Sequence, residues 1–139
     1  MSYTITLTTL KDSPDTLTLV EKTCWHYGGG ATWTEHDGHQ ILTMGSSGTS
    51  GMLRFHSSSG ELFSVVLGVY NYKPWCNALV DLEPSEAAVK LHAEYYAGGR
   101  FSREIPSEVQ KVSKGWKHVR VFFDGVDGGH EIRAVVQHF

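Results

Sequence analysis

Tyr3-Thr4-Ile5-Thr6-Leu7-Thr8 alternates apolar residues with threonine. Strict period two puts one set on a buried face and the other on a solvated face, so the stretch predicts a half-buried strand. Working outward, strand-like runs recur at Thr16 to Trp25, Ala31 to Glu35, His39 to Met44, Met52 to His56 and Leu62 to Val69, and again at Trp116 to Phe123 and Glu131 to Phe139. Val119, Val121 and Phe123 share one face of the first late run; Ile132, Ala134 and Val136 share one face of the second. Turn signals separate the runs: Asp12-Ser13-Pro14-Asp15, Gly28-Gly29-Gly30, Asp37-Gly38, Ser57 to Gly60, Asp124-Gly125 and Asp127-Gly128-Gly129. Short strands with glycine-rich turns at this spacing suggest a sandwich or barrel.

One segment breaks the pattern. Pro84-Ser85-Glu86-Ala87-Ala88-Val89-Lys90-Leu91 is rich in helix formers, with a proline near the start where its missing N–H matters least. Ala87, Ala88 and Leu91 would form its apolar stripe. Ser102 to Gln110 could form a second short helix, although Pro106 should break or displace it. The expected plan is therefore all-β in the main: an antiparallel β-sandwich of two sheets with a short helix-loop-helix insertion. Residues 1–139 read as one domain, since no repeat, linker or low-complexity tract divides them.

The composition narrows the function. Hydrophobic residues make up 40% and charged residues 19%, as in an ordinary globular chain. A net charge of −3 gives no general attraction for nucleic acid or anionic lipid. Lys111, Lys114, Lys117, His118 and Arg120 are interrupted by apolar residues and read as a solvated strand edge. Met1 to Thr6 has neither the basic nor the apolar region of a secretion signal, which reads as cytoplasmic. Cys24 and Cys76 read as buried free thiols, although a disulfide between them is geometrically possible.

Catalysis and metal binding find little support. Eight histidines invite a metal site, yet no His-x-x-x-His, Cys-x-x-Cys or carboxylate ladder is present. His36, Asp37 and His39 flank a hairpin turn. Neither cysteine follows a glycine-rich elbow. Around Ser47 the Gly-x-Ser-x-Gly elbow fails, because Thr49 fills the place where the second glycine is needed. No enzyme, metal or cofactor is expected.

Binding is the better reading. Gly45-Ser46-Ser47-Gly48-Thr49-Ser50-Gly51 contains no side chain larger than threonine and lies between apolar runs. Such a loop exposes hydroxyls and main-chain N–H groups without formal charge, and a neutral polyhydroxyl ligand can approach it closely. Trp25-His26-Tyr27-Gly28-Gly29-Gly30-Ala31-Thr32-Trp33 puts aromatics either side of a side-chain-free turn, and Gly68-Val69-Tyr70-Asn71-Tyr72-Lys73-Pro74-Trp75-Cys76-Asn77 presents two tyrosines, an amide and a tryptophan. Aromatic faces pack on the C–H faces of a sugar while amides and hydroxyls discriminate its hydroxyl groups.

On these segments, together with Val20-Glu21-Lys22-Thr23, Leu42-Thr43-Met44 and Leu53-Arg54-Phe55, the chain resembles the fungal fruit-body lectin family. Tyr95-Tyr96, Arg100, Arg103 and Glu104 continue the resemblance more weakly. The likeness implies the actinoporin-like β-sandwich and a non-enzymatic protein that binds glycans of glycoproteins or glycolipids. It further implies a homo-oligomer, tetramer or dimer, that recognises the Galβ1-3GalNAc disaccharide (the T-antigen) at one site and terminal GlcNAc at a second. Carried over by position, the first site comprises Gly28, Ser47, Gly48, Tyr70 and Asn71. Alanine is usual in the family where Gly28 stands, and histidine where Tyr70 stands.

The second site departs further from the family pattern. By position it comprises Asn77, Ala78, Val80, Arg100 and Gln110, where the family usually has aspartate, an aliphatic residue, threonine, arginine and tyrosine. Only Arg100 is retained, so this site is expected to be weak, altered or absent. Avidity from several copies and a defensive role against animals or fungi that feed on the producer also come from the resemblance alone. The alternative is a membrane-binding or pore-forming protein of the same architecture. Residues 3 to 10, with strand period, lack the detachable amphipathic helix that it would need, so no membrane insertion is expected.

Overall fold

A computed structural model describes residues 2–25, 30–96, 98–102 and 104–139. Among these, ten strands and one helix occur: β1 (Tyr3–Lys11), β2 (Leu17–Trp25), β3 (Ala31–His36), β4 (His39–Met44), β5 (Thr49–Ser57), β6 (Leu62–Tyr70), β7 (Lys73–Leu79), α1 (Ala88–Ala93), β8 (Glu108–Val112), β9 (His118–Asp127) and β10 (Glu131–His138). One sheet has the order β3-β4-β1-β10-β9-β8, the other β2-β5-β6-β7. The expected two-sheet sandwich is what the chain forms. One pairing departs from the antiparallel expectation: β1 runs parallel to β10, with Ile5 opposite Ile132 and Leu7 opposite Ala134. Parallel neighbours need a long connection, and the rest of the fold lies between these two strands. With β4 antiparallel on its other edge, β1 is a central strand.

The alternation of β1 has the consequence read from it. Tyr3, Ile5 and Leu7 are buried, while Thr4, Thr6 and Thr8 face outward. The buried set meets Leu42 and Met44 of the same sheet and Leu53, Phe55, Val65, Leu67 and Val69 of the other in one continuous core. Strands β5 and β6 do not alternate in burial, since nearly every residue is inside. Their inner face meets the opposite sheet. Their outer face is covered by the insertion, where Met52, Val66, Trp75, Ala88, Leu91 and Tyr95 form a second core.

The insertion contains a single helix among the described residues, and it starts later than expected. Residues 83–86 turn on their own bonds, Glu86 N–H to the Glu83 carbonyl and Glu83 N–H to Glu86 Oε1. The N-cap residue, Ala87, has no side chain able to cap. Glu21 substitutes from β2: its carboxylate accepts the Ala88 N–H at 3.3 Å and the Arg54 guanidinium at 2.7 Å. Arg54, itself buried, also donates to the carbonyls of Glu83 and Pro84. This network fastens the insertion to the outer face of the sheet.

The second helix expected over Ser102–Gln110 does not form. An extended segment through Pro106 leads instead into β8. Pro106 cannot donate within a helix, and its carbonyl accepts the Cys76 N–H at 2.8 Å, so the segment lies along the edge of β7. Cys24 and Cys76 are both free thiols.

Candidate functional site

Two turns meet at one end of the smaller sheet. The first is residues 45–48 between β4 and β5. The supposed loop is shorter than the small residues suggested, because Thr49, Ser50 and Gly51 already belong to β5 and are buried. Smallness has a different cause there. A Cβ on Gly51 would lie 2.6 Å from the Trp33 ring and 2.8 Å from Leu42, so packing rather than flexibility requires glycine. Gly48 does need its freedom: φ is +93°. Its N–H donates to the Val69 carbonyl at 2.7 Å.

The second turn is the Asn71-Tyr72 hairpin between β6 and β7, with Tyr70 paired to Lys73. Both turn residues have positive φ, +52° and +64°, the pattern of a type I′ hairpin that suits strand twist. Asparagine accepts this conformation readily, but tyrosine pays a steric penalty for it. Ser47 Oγ accepts the Tyr72 N–H at 3.0 Å, so the two turns brace one another and hold the strained residue.

Ser47, Gly48, Tyr70 and Asn71 come together on one cavity of about 400 Å³, completed by Tyr72 and Tyr96. Its lining carries no formal charge. Gly28, the fifth expected residue, lies outside the described residues. Tyr70 and Tyr72 are 60% and 76% exposed, which leaves their rings free to stack on a ligand.

The other aromatics serve packing. Trp33 is turned toward the core and donates to the Thr23 carbonyl at 2.9 Å. Trp75 belongs to the second core. Neither presents its face as a sugar platform in the way the sequence suggested.

Tyr96, a part of the family resemblance but not of the expected site, is a wall residue of this cavity. It stacks on Trp25, centroids 4.6 Å apart and planes within 10°, and its hydroxyl is hydrogen-bonded to Ser50 Oγ. Ser50 Oγ also lies 2.8 Å from His92 Nε2, and Thr23 Oγ1 lies 2.8 Å from His92 Nδ1. A neutral imidazole donates at one nitrogen and accepts at the other, and both positions are thereby satisfied. Burial pushes His92 down to about 4; the same cause raises the Tyr96 phenol. The signal for this network was in the sequence, since Ala88, Leu91, His92 and Tyr95 recur at i, i+3, i+4 and i+7. Following that face one turn beyond Leu91 leads to the tyrosine pair.

The second set of expected residues is not brought together in this way. Asn77 is fully buried; its amide donates to the Glu104 carbonyl at 3.0 Å and its oxygen accepts the Ala78 N–H at 2.8 Å. Ala78 faces the main core, and Val80 is half-buried against it. Gln110, on β8, is exposed and bonds His118 at 3.1 Å. The Arg100 guanidinium rests over the Phe101 ring at 4.5 Å. No three His, Cys, Asp or Glu among the described residues group as metal ligands.

Comparison with known proteins shows the family and the fold. The model of the family described as fungal fruit body lectin matches residues 1–136. Boletus edulis lectin is 48% identical over 101 residues, 71% of each chain. The crystal structure of wild-type Xerocomus chrysenteron lectin has a TM-score of 0.94 at 37% identity, covering 100% of both chains. A triply substituted form of that lectin gives 0.94 at 38% identity, over 100% of this chain and 99% of its own. The chain belongs to the fungal fruit body lectin family and is a carbohydrate-binding protein without enzymatic activity.

Proposed function

We propose that the cavity between the two braced turns binds a galactosyl or N-acetylgalactosaminyl residue, with Galβ1-3GalNAc as the preferred disaccharide. The observation that carries this reading is the meeting of Ser47, Gly48, Tyr70 and Asn71 on one uncharged surface. A sugar there can hydrogen-bond the Ser47 hydroxyl, exchange hydrogen bonds with the Asn71 carboxamide and lay a C–H face on a tyrosine ring. Tyr70, where the family usually has histidine, exchanges a hydrogen-bonding ring for a larger stacking one and so bears on which second sugar is accepted.

A homo-oligomer would multiply a weak single site into an agglutinin, since linked sites engage a glycan array with avidity well above single-site affinity. Defence against feeding animals or fungi follows as the role of such an agglutinin. Terminal GlcNAc is proposed to bind weakly at most, because the Asn77 carboxamide is already committed within the fold.

A glycan array and calorimetry with Galβ1-3GalNAc test the site. Ser47→Ala and Asn71→Gly are each expected to weaken binding by about tenfold or more, the loss of one polar partner being about 1–3 kcal/mol. Glycine at 71 removes the carboxamide while keeping the positive φ of the turn. Parent-like affinity in both variants would refute the assignment, and firm retention on a GlcNAc column would refute the weak second site.

A further inference from the structure

A second cavity of about 240 Å³ adjoins the sugar site and shares Gly48, Tyr70 and Tyr96 with it. It runs beneath the insertion, between the end of β6 and the extended segment before β8, and its remaining walls are Val69, Trp75, Tyr95, Ser102 and Ile105. These walls carry no charged side chain and are mostly carbon. Trp75 is tilted against Tyr95 at 5.5 Å, and Tyr95 against Phe101 at 5.1 Å. Each of these rings is thus held from behind.

Tyr96 stands between the two cavities and cannot swing aside freely, being stacked on Trp25 and bonded through its hydroxyl to Ser50. Gly48, which lines both cavities, adds no side chain between them. A ligand that sits on Ser47 and Asn71 therefore has, next to it, an apolar chamber with aromatic walls.

We infer that this chamber is a subsite for a flat apolar aglycone carried by the bound sugar. The inference rests on the galactoside reading of the adjoining site. Three physical points support it. An apolar cavity of about 150 Å³ admits a benzene ring, and this one is larger. The carbon that makes up most of the wall offers water no hydrogen bond, so displacing water from it favours binding. Aromatic walls meet a planar ring in offset or edge-on contact, which adds to the area buried.

The test compares methyl, phenyl and 4-nitrophenyl galactosides, both anomers of each, by calorimetry on the native protein. The aryl galactoside of one anomer is expected to bind about tenfold tighter than its methyl counterpart. Ile105→Ser makes a wall polar, and Ser102→Trp fills the chamber from its other side. Each variant is expected to abolish the aryl advantage while methyl galactoside binds as it does to the native protein. Equal affinities for methyl and aryl galactosides overturn the subsite and leave the sugar site standing. An aryl advantage that survives both variants overturns its location. Failure of every galactoside to bind the native protein overturns the sugar reading itself.

Discussion

Replacing Gly68 by alanine is expected to destabilise the fold by about 3 kcal/mol, at the upper end of what overpacking a core costs. A Cβ there would lie 2.6 Å from Ser50 Cβ, 2.8 Å from the Thr49 carbonyl oxygen and 2.8 Å from Trp75 Nε1. Two of these neighbours cannot yield cheaply. The Thr49 oxygen is main chain in the adjacent β5, and Trp75 is wedged into the second core. The strands would have to separate, or the insertion would have to lift from the sheet.

For a domain of this size, such a loss lowers the melting midpoint by roughly 10 °C. Gly60→Ala is the comparison. That position has φ of +93° but nothing within 4 Å of a Cβ, so only backbone strain of about 1 kcal/mol is expected. Calorimetric melting of both variants checks the pair. Equal shifts would mean that crowding does not select glycine at 68, where φ lies outside the left-handed region. The outer face of β5 and β6 would then be less tightly covered than its burial indicates.

Where one face of a strand is solvated, the sequence is a sufficient guide. Tyr3 to Thr8, the Asp37-Gly38 hairpin with its positive φ values and the Ile132, Ala134, Val136 face were all readable from period two and turn chemistry. Legibility failed where a segment is buried on both sides or has no face of its own. Strand β7 was hidden because Pro74, Trp75 and Asn77 looked like ligand contacts, whereas the insertion turns Trp75 and Asn77 into interior groups. Strand β8 follows a proline segment whose polar residues imitate a helix, and only its place on the edge of β9 makes it a strand.

The site divides along the same line. Ser47, Gly48, Tyr70 and Asn71 sit in turns, where local sequence decides both conformation and exposure. Trp33 and Trp75 were misjudged because their exposure is set by elements distant in the chain. Tyr96 was absent from the expected site for the converse reason: it reaches the cavity only because α1 docks on β2 and β5, a tertiary contact secured by Glu21 and Arg54.

Acidification is expected to remove about 3 kcal/mol of stability between pH 7 and pH 4 through His92 alone. Burial lowers its folded value to about 4 against 6.5 for an unhindered imidazole. Between those values the unfolded chain takes up a proton that the folded protein refuses, so stability is full above pH 6.5 and falls as the pH drops toward 4. Below that, both states are protonated and this contribution stops changing. Burial lowers His138 as well, so it acts in the same direction.

Urea unfolding at pH 7, 5.5 and 4 measures the slope, and His92→Gln, which can hydrogen-bond but not titrate, should flatten it. An unchanged slope in that variant would show that His92 is not held neutral in the interior. The geometry also ties this titration to the ligand. A proton on His92 leaves both of its nitrogens as donors. Ser50 and Thr23 must then both accept from it, and Ser50 is the group that fixes the Tyr96 hydroxyl. Galactoside affinity is therefore expected to fall as the pH approaches 4, before the fold is lost, and to fall less in His92→Gln.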